Sequence, residues 1–135
     1  MVDVVGALLM RNGQILLGLR APHRRICPDC WDAIGGHVEA GETPREALVR
    51  EMREEIGVTP TVFSPLATFT FEDEGGVVSL DLYRVDVWTG EPATCNDEHV
   101  ALRWFSLNEA CALPNLASAK YLDAFPLLRA AGQPD

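Results

Sequence analysis

The chain has 135 residues, 20 acidic and 11 basic, for a formal net charge of −9. That length predicts one domain with enough core to fold without disulfide or metal staples. The hydrophobic share of 47% argues against disorder. The negative charge argues against a general binder of nucleic acid polymers or membrane surfaces, while leaving room for an enzyme that handles polyanions through divalent cations. No apolar run approaches a membrane span. The opening MVDVVGALLM lacks a basic leader pattern, so the expected location is cytoplasmic, with reduced thiols.

Val4–Met10 reads as a buried strand, Asn12-Gly13 as a hairpin turn and Ile15–Leu19 as the return strand. Ala21–Asp32 reads as a loop holding Cys27-Pro28-Asp29-Cys30. A single CxxC without a second pair is not a zinc ribbon, and Trp31-Asp32-Ala33 after it does not open a thioredoxin-like helix. Ala33–Val38 reads as a short strand interrupted by Gly35-Gly36. Thr43 as N-cap, Pro44 at N1, Glu46 as capping-box partner and Gly57 at C′ bound a helix over 44–56. Strands are expected over 65–71 and 77–88, with a bulge in the second, and over 99–105. Ser106 opens a short helix or turn, and 117–131 reads as helical despite Pro126. Interleaved strands and helices predict an α/β (α+β type) fold, a mixed sheet between helices.

On the helix over 44–56, Leu48, Val49, Met52 and Ile56 share an arc of about 100° that forms the expected core face. Glu51, Glu54 and Glu55 share a neighbouring arc at i,i+3 and i,i+4 spacing, so their carboxylates can converge. A solvated acidic face is the ordinary explanation for such a stripe. Here the cluster borders the core and comes after a Gly-Gly loop whose carbonyls can ligate a hard cation such as Mg²⁺ or Mn²⁺.

Gly36-x5-Glu42-x7-Arg50-Glu51-Met52-x-Glu54-Glu55-x-Gly57-Val58 resembles the box of the Nudix hydrolases at every specified position. Trp31, the Gly35–Glu39 lead-in and Arg103-Trp104-Phe105 extend the resemblance over most of the chain; Ile34 stands where many members have proline. The resemblance implies a single Nudix domain over 1–135, with its box at 36–58. It implies Glu51, Glu54, Glu55 and the Gly35 carbonyl as metal ligands, Arg50 as their orienting partner, and Glu42, Gly36 and Gly57 as structural box residues. Trp88-x-Gly90-Glu91-Pro92 is similar to MutT-type members and points to Glu98 as a further metal-associated or basic glutamate, with His99 the alternative base.

Arg20, Arg24 and Arg25 are candidates for substrate phosphate, and Phe71, Tyr83, Trp104 and Asn115 for the base. The implied reaction is hydrolysis of a nucleoside triphosphate to monophosphate and pyrophosphate. Nucleotide sugars such as ADP-ribose, dinucleoside polyphosphates and diphosphate alcohols are the alternatives, and a non-catalytic nucleotide-binding module is a further one. The implied partner is a small nucleotide, and the size is compatible with a homodimer.

Overall fold

The computed structural model describes residues 1–24 and 27–129. Its elements are β1 (Val2–Arg11), β2 (Gln14–Arg20), β3 (Trp31–Asp32), β4 (Ile34–His37), α1 (Pro44–Ile56), β5 (Thr59–Asp73), β6 (Gly76–Thr89), β7 (His99–Ser106), α2 (Leu107–Cys111) and α3 (Tyr121–Ala124). A 3-10 turn over Phe125–Leu128 continues α3.

Among the described residues, the seven strands form one mixed sheet. β1 pairs parallel with β6 along one edge. Its other edge is shared, Val4–Ala7 pairing with β4 and Leu9–Arg11 with β2. β1 and β2 therefore part a few residues beyond their Asn12-Gly13 turn, where φ is 53° and 76° as a type I′ hairpin needs. The wedge is filled by β4 against β1 and β3 against β2. Strand backbones meet closely there, and a Cβ on Gly35 would collide with the Val5 carbonyl oxygen. Gly35 and Gly36 are thus part of β4 rather than an interruption, and the break falls at Ala33.

The sheet is buried on both faces, which is why β1 reads as an unbroken apolar run. Val5, Ala7, Leu9, Leu16, Ile34 and Val85 pack under α1. Leu8, Ile15, Leu17, Leu82 and Phe105 pack under α2, α3 and the 3-10 turn. This is the mixed sheet between helices that the sequence predicts.

Three elements differ from expectation. β5 begins at Thr59 rather than Pro65. It is an edge strand, and the pairing slips at Pro60/Val62 and Pro65/Ala67, so both prolines sit beside extra residues on β5 where a missing N–H is tolerated. Of the expected helix over 117–131, residues 130 and 131 lie outside the described residues, and within 117–129 it shrinks to α3 and the 3-10 turn. Leu116 bridges to Trp31 and the Ala117 N–H donates to the Trp31 carbonyl at 2.8 Å, drawing the start of that segment into the sheet; Pro126 then removes a helical donor. On α1, Ala47 takes the buried place expected of Val49, which is half-buried. Among the described residues, no helix is long and apolar enough to cross a membrane.

Candidate active site

α1 starts and stops where its residues dictate. The Glu46 N–H donates to Thr43 Oγ1 at 3.1 Å, the Thr43 N–H donates to Glu46 Oε1 at 2.9 Å, and Gly57 closes the helix at φ 72°. The carboxylate stripe is thereby fixed opposite β4.

Arg50 is the hub of the first half of this stripe. Its Nε and Nη2 donate to the two oxygens of Glu42 at 2.7 and 3.0 Å, a bidentate pair. Nη1 reaches Glu51 at 2.9 Å and Glu54 at 3.3 Å, and Nη2 also donates to the His37 carbonyl at 3.0 Å. Hydrogen bonding from Arg50 holds the Glu42 carboxyl below its ordinary range, and the Glu39 N–H adds to this. Hydrogen bonding to Glu42, then to Glu51, raises Arg50 above its ordinary range against the opposing effect of burial. Glu51 lies against the Gly36 backbone, where a Cβ would come within 2.7 Å of its carboxylate carbon. Gly36 is therefore the floor on which Glu51 rests.

The second half of the stripe differs. Glu55 is 2% exposed, and neither of its carboxylate oxygens has a hydrogen-bond partner among the described residues. His99, 5% exposed, places Nδ1 at 3.5 Å from Glu55 Oε1, and its own nitrogens are equally unpartnered. Burial, then the carboxylates of Glu98 and Glu51, push the Glu55 carboxyl up to about 12. Burial lowers His99, against the opposing pull of Asp32 and Glu98. In isolation the pair is therefore neutral.

Three backbone features make this pocket. The loop after β6 straps over the end of α1, with the Cys95 and Ala93 N–H groups donating to the Glu55 and Ile56 carbonyls at 2.9 and 3.1 Å. β7 then pairs with β2, and Val100 is an extra residue between the Leu19–Ala101 and Arg20–His99 pairs; such a bulge re-aims a side chain, here His99. Gly18 leaves room for the imidazole, since a Cβ there would stand 2.6 Å from His99 Cδ2.

A buried, unpaired carboxylate is costly unless something with positive charge completes it. The donor set is all hard oxygen, which fits Mg²⁺ or Mn²⁺. Among the described residues, no three acidic, His or Cys side chains are already gathered closely enough to hold a metal ion.

A NUDIX domain model matches residues 1–127. The chain belongs to the Nudix family. It is 39% identical over 136 aligned positions to a CTP pyrophosphohydrolase of Escherichia coli, covering 100% of this chain and 98% of that one. It is 35% identical over 88 positions to the 8-oxo-dGTP diphosphatase of Escherichia coli, covering 65% and 67%. The crystal structure of a MutT NUDIX hydrolase from Burkholderia pseudomallei superposes with a TM-score of 0.84 at 29% identity, over 95% of this chain and 98% of that one. The protein is thus a Nudix hydrolase, of a family whose members generally need divalent metal ions.

The remaining sequence candidates divide into those near the Nudix stripe and those elsewhere. Glu98 is half-buried between α1 and the loop after β2, where Arg24 Nη1 lies 3.5 Å from its Oε1 and the Ala21 N–H donates to its carbonyl at 2.9 Å. Arg20 is paired with His99 in the sheet register, and its Nη1 reaches Asp32 at 3.2 Å. Arg25 lies outside the described residues. Asn115 is turned to the CxxC loop, its Nδ2 donating to the Asp29 carbonyl at 2.8 Å. Among the aromatic candidates, Tyr83 is core at 6% exposure beneath α1, Phe71 is half-buried on the opposite face, and Trp104 stacks on Trp88 under the Arg11 guanidinium. Sequence reasoning missed the burial of Glu55, the Gly18 notch and the Val100 bulge; an isolated glycine inside β2 is the one signal that pointed there.

Proposed function

We propose that this Nudix hydrolase cleaves nucleoside triphosphates to the monophosphate and pyrophosphate. The observation that carries the reading is the Glu55 carboxylate, buried without a partner and crowded by Glu51 and Glu98. A site so rich in oxygen donors and short of positive charge suits a divalent cation with its phosphate load. The near full-length likeness to a CTP pyrophosphohydrolase supports a triphosphate as that load, with CTP the first substrate to assay and 8-oxo-dGTP the second.

In this reading Glu51, Glu54, Glu55, Glu98 and the Gly35 carbonyl hold Mg²⁺ or Mn²⁺. The ion, when bound, neutralises charge developing on the phosphates. Arg50 is a positioning residue that sets Glu51 and Glu54, while Glu42, Gly36 and Gly57 shape the box around it. Arg20, Arg24 and Arg25 serve the phosphate chain, and Asn115 the far end of the nucleotide. Glu98 accepts the proton of the attacking water, and Arg24 Nη1, 3.5 Å from its Oε1, holds it in place. One domain over 1–135 carries all of this.

The test is product analysis with Mg²⁺ on CTP, 8-oxo-dGTP, ADP-ribose and a dinucleoside polyphosphate, for wild type and Glu54→Gln. Monophosphate plus pyrophosphate from a triphosphate, lost in Glu54→Gln, is the expected result. Cleavage of ADP-ribose or the dinucleotide alone would refute the substrate class, and equal turnover by Glu54→Gln would refute the site.

A further inference from the structure

The CxxC turn has no part in the chemistry above, yet it is held in an unusual shape. Cys27 and Asp29 take φ of 47° and 59°, left-handed values that side chains other than glycine rarely adopt. A residue preceding proline, as Cys27 does, ordinarily stays extended. The turn is clamped in place from two sides. The Arg20 N–H donates to the Cys30 carbonyl at 2.9 Å and the Asp29 N–H to the Arg20 carbonyl at 3.1 Å, fastening it to the end of β2. Asn115 Nδ2 holds the Asp29 carbonyl at 2.8 Å, and the Cys27 thiol donates to the Ala117 carbonyl at 3.4 Å.

Only Pro28 and Asp29 separate the two cysteines in this turn, and the Cys27 side chain is near enough to act on the Cys30 thiol. Both thiols are free and half-buried. Burial raises the Cys30 thiol, and the adjoining Cys27 sulfur raises it further. The other two cysteines have different surroundings: Cys95 Sγ lies at 3.5 Å from the Ala93 carbonyl beside Gly57, and Cys111 ends α2.

We propose that Cys27 and Cys30 are a reversible two-electron redox site, closed to an intramolecular disulfide by a peroxide. One thiol gives up its proton and attacks a peroxide oxygen, breaking the O–O bond; this gives a sulfenic acid, and the displaced hydroxide takes that proton to leave as water. The second thiol attacks that sulfur, forming the S–S bond and releasing the second water. The two thiols lose two electrons and two protons, and hydrogen peroxide becomes two waters. A reducing dithiol reverses the step by exchange. Closure releases the Cys27 thiol from Ala117 and fixes the turn against β2. Arg20 is bonded directly to this turn, and the adjoining loop carries Arg24 to Glu98, so the covalent change reaches one wall of the site. The redox site is independent of which nucleotide is cleaved, and it can be tested without measuring turnover.

The experiment treats the full chain with one equivalent of hydrogen peroxide and follows intact mass, thiol count and amide exchange over residues 19–31. The expected result is a mass loss of about 2 Da, for two hydrogens removed. Titratable thiols fall from four to two, the linkage maps to Cys27–Cys30, exchange in that segment slows several-fold, and dithiothreitol restores the starting state. Cys95→Ser with Cys111→Ser keeps all of this, whereas Cys27→Ser and Cys30→Ser each abolish the mass loss. Gain of oxygen at either cysteine without a disulfide, linkage between chains, mapping to Cys95 or Cys111, or unchanged exchange would each overturn it.

Discussion

The two halves of α1's acidic stripe are built on opposite principles. Around Arg50, three glutamates share one guanidinium at 2.7–3.3 Å. Around Glu55, one turn on, a carboxyl group and an imidazole are sealed in, and none of their side-chain polar atoms has a hydrogen-bond partner among the described residues. The first cluster has a cation of its own, one guanidinium shared among three carboxylates, which sets Glu51 and Glu54 in place. In the proposed reading the second takes its counter-charge from outside. Identical residue types in one helix thus separate into a brace and a receptor, and the difference lies in what covers them.

Substitutions can probe that contrast from either side. The largest effect is expected at Glu55. Glu55→Gln removes the charge that a cation needs, and turnover of the preferred triphosphate should fall at least ~10²-fold. The metal-free melting temperature should hold or rise, because the buried carboxyl is already neutral. A mutant that melts early and keeps its rate would reverse the assignment of receptor and brace.

Arg50→Ala should act the other way. It strands Glu42 and Glu51 without their cation and should cost about 2 kcal/mol of folding stability, less than a fully buried pair because Arg50 keeps some solvent contact. Denaturant melts give that number. Arg50→Lys should recover only part of it, since a single ammonium cannot reproduce the bidentate grip on Glu42.

pH separates the clusters without mutation. The folded Glu55 carboxyl, at about 12, is far above its unfolded value near ~4.3. Its neutral form is therefore favoured by folding at low pH, and that contribution is lost as pH rises. The slope is at most about 1.4 kcal/mol per pH unit. His99, lowered by burial, works in the opposite direction below ~6.5, so the Glu55 signal is clean above that. Metal-free melting temperatures should fall from pH 7 upward, and added Mg²⁺ should stabilise more at each step. In Glu55→Gln both trends should flatten, which differential scanning fluorimetry would resolve.

The glycines come next, and Gly57 has the smallest effect. Gly18→Ala would drive a methyl into the His99 ring and should cost ~1–3 kcal/mol, with metal affinity reduced along with it. Gly57→Ala should cost about 1 kcal/mol, from its φ of 72°. Calorimetric titration with Mn²⁺ tells the two apart, because Gly57 does not touch the imidazole.

Much of this was legible from residues alone where the cause is local. Thr43, Pro44, Glu46 and Gly57 state the limits of α1 directly, and Asn12-Gly13 states its turn. The glutamate spacing identifies a stripe, but not that Glu54 is exposed while Glu55 is sealed. That distinction comes from a loop some forty residues later folding over the helix end, which no local pattern encodes. His99 likewise acquires its place from a bulge and from a glycine on another strand. Residues 117–131 mislead for a related reason: their apolar spacing suits a helix, while pairing of Leu116 with Trp31 commits the start of the segment elsewhere.

The position of β7 has a consequence for how the protein comes into being. The box is one unbroken stretch of chain, finished long before His99 emerges from a ribosome. Until the loop after β6 straps over α1 and β7 docks on β2, Glu55 is not sealed, and the carboxylate remains an ordinary solvated acid. A nascent chain carrying the whole box would bind divalent ions no better than any acidic peptide, so hydrolytic competence should arrive abruptly, with the strand that is last to join the sheet.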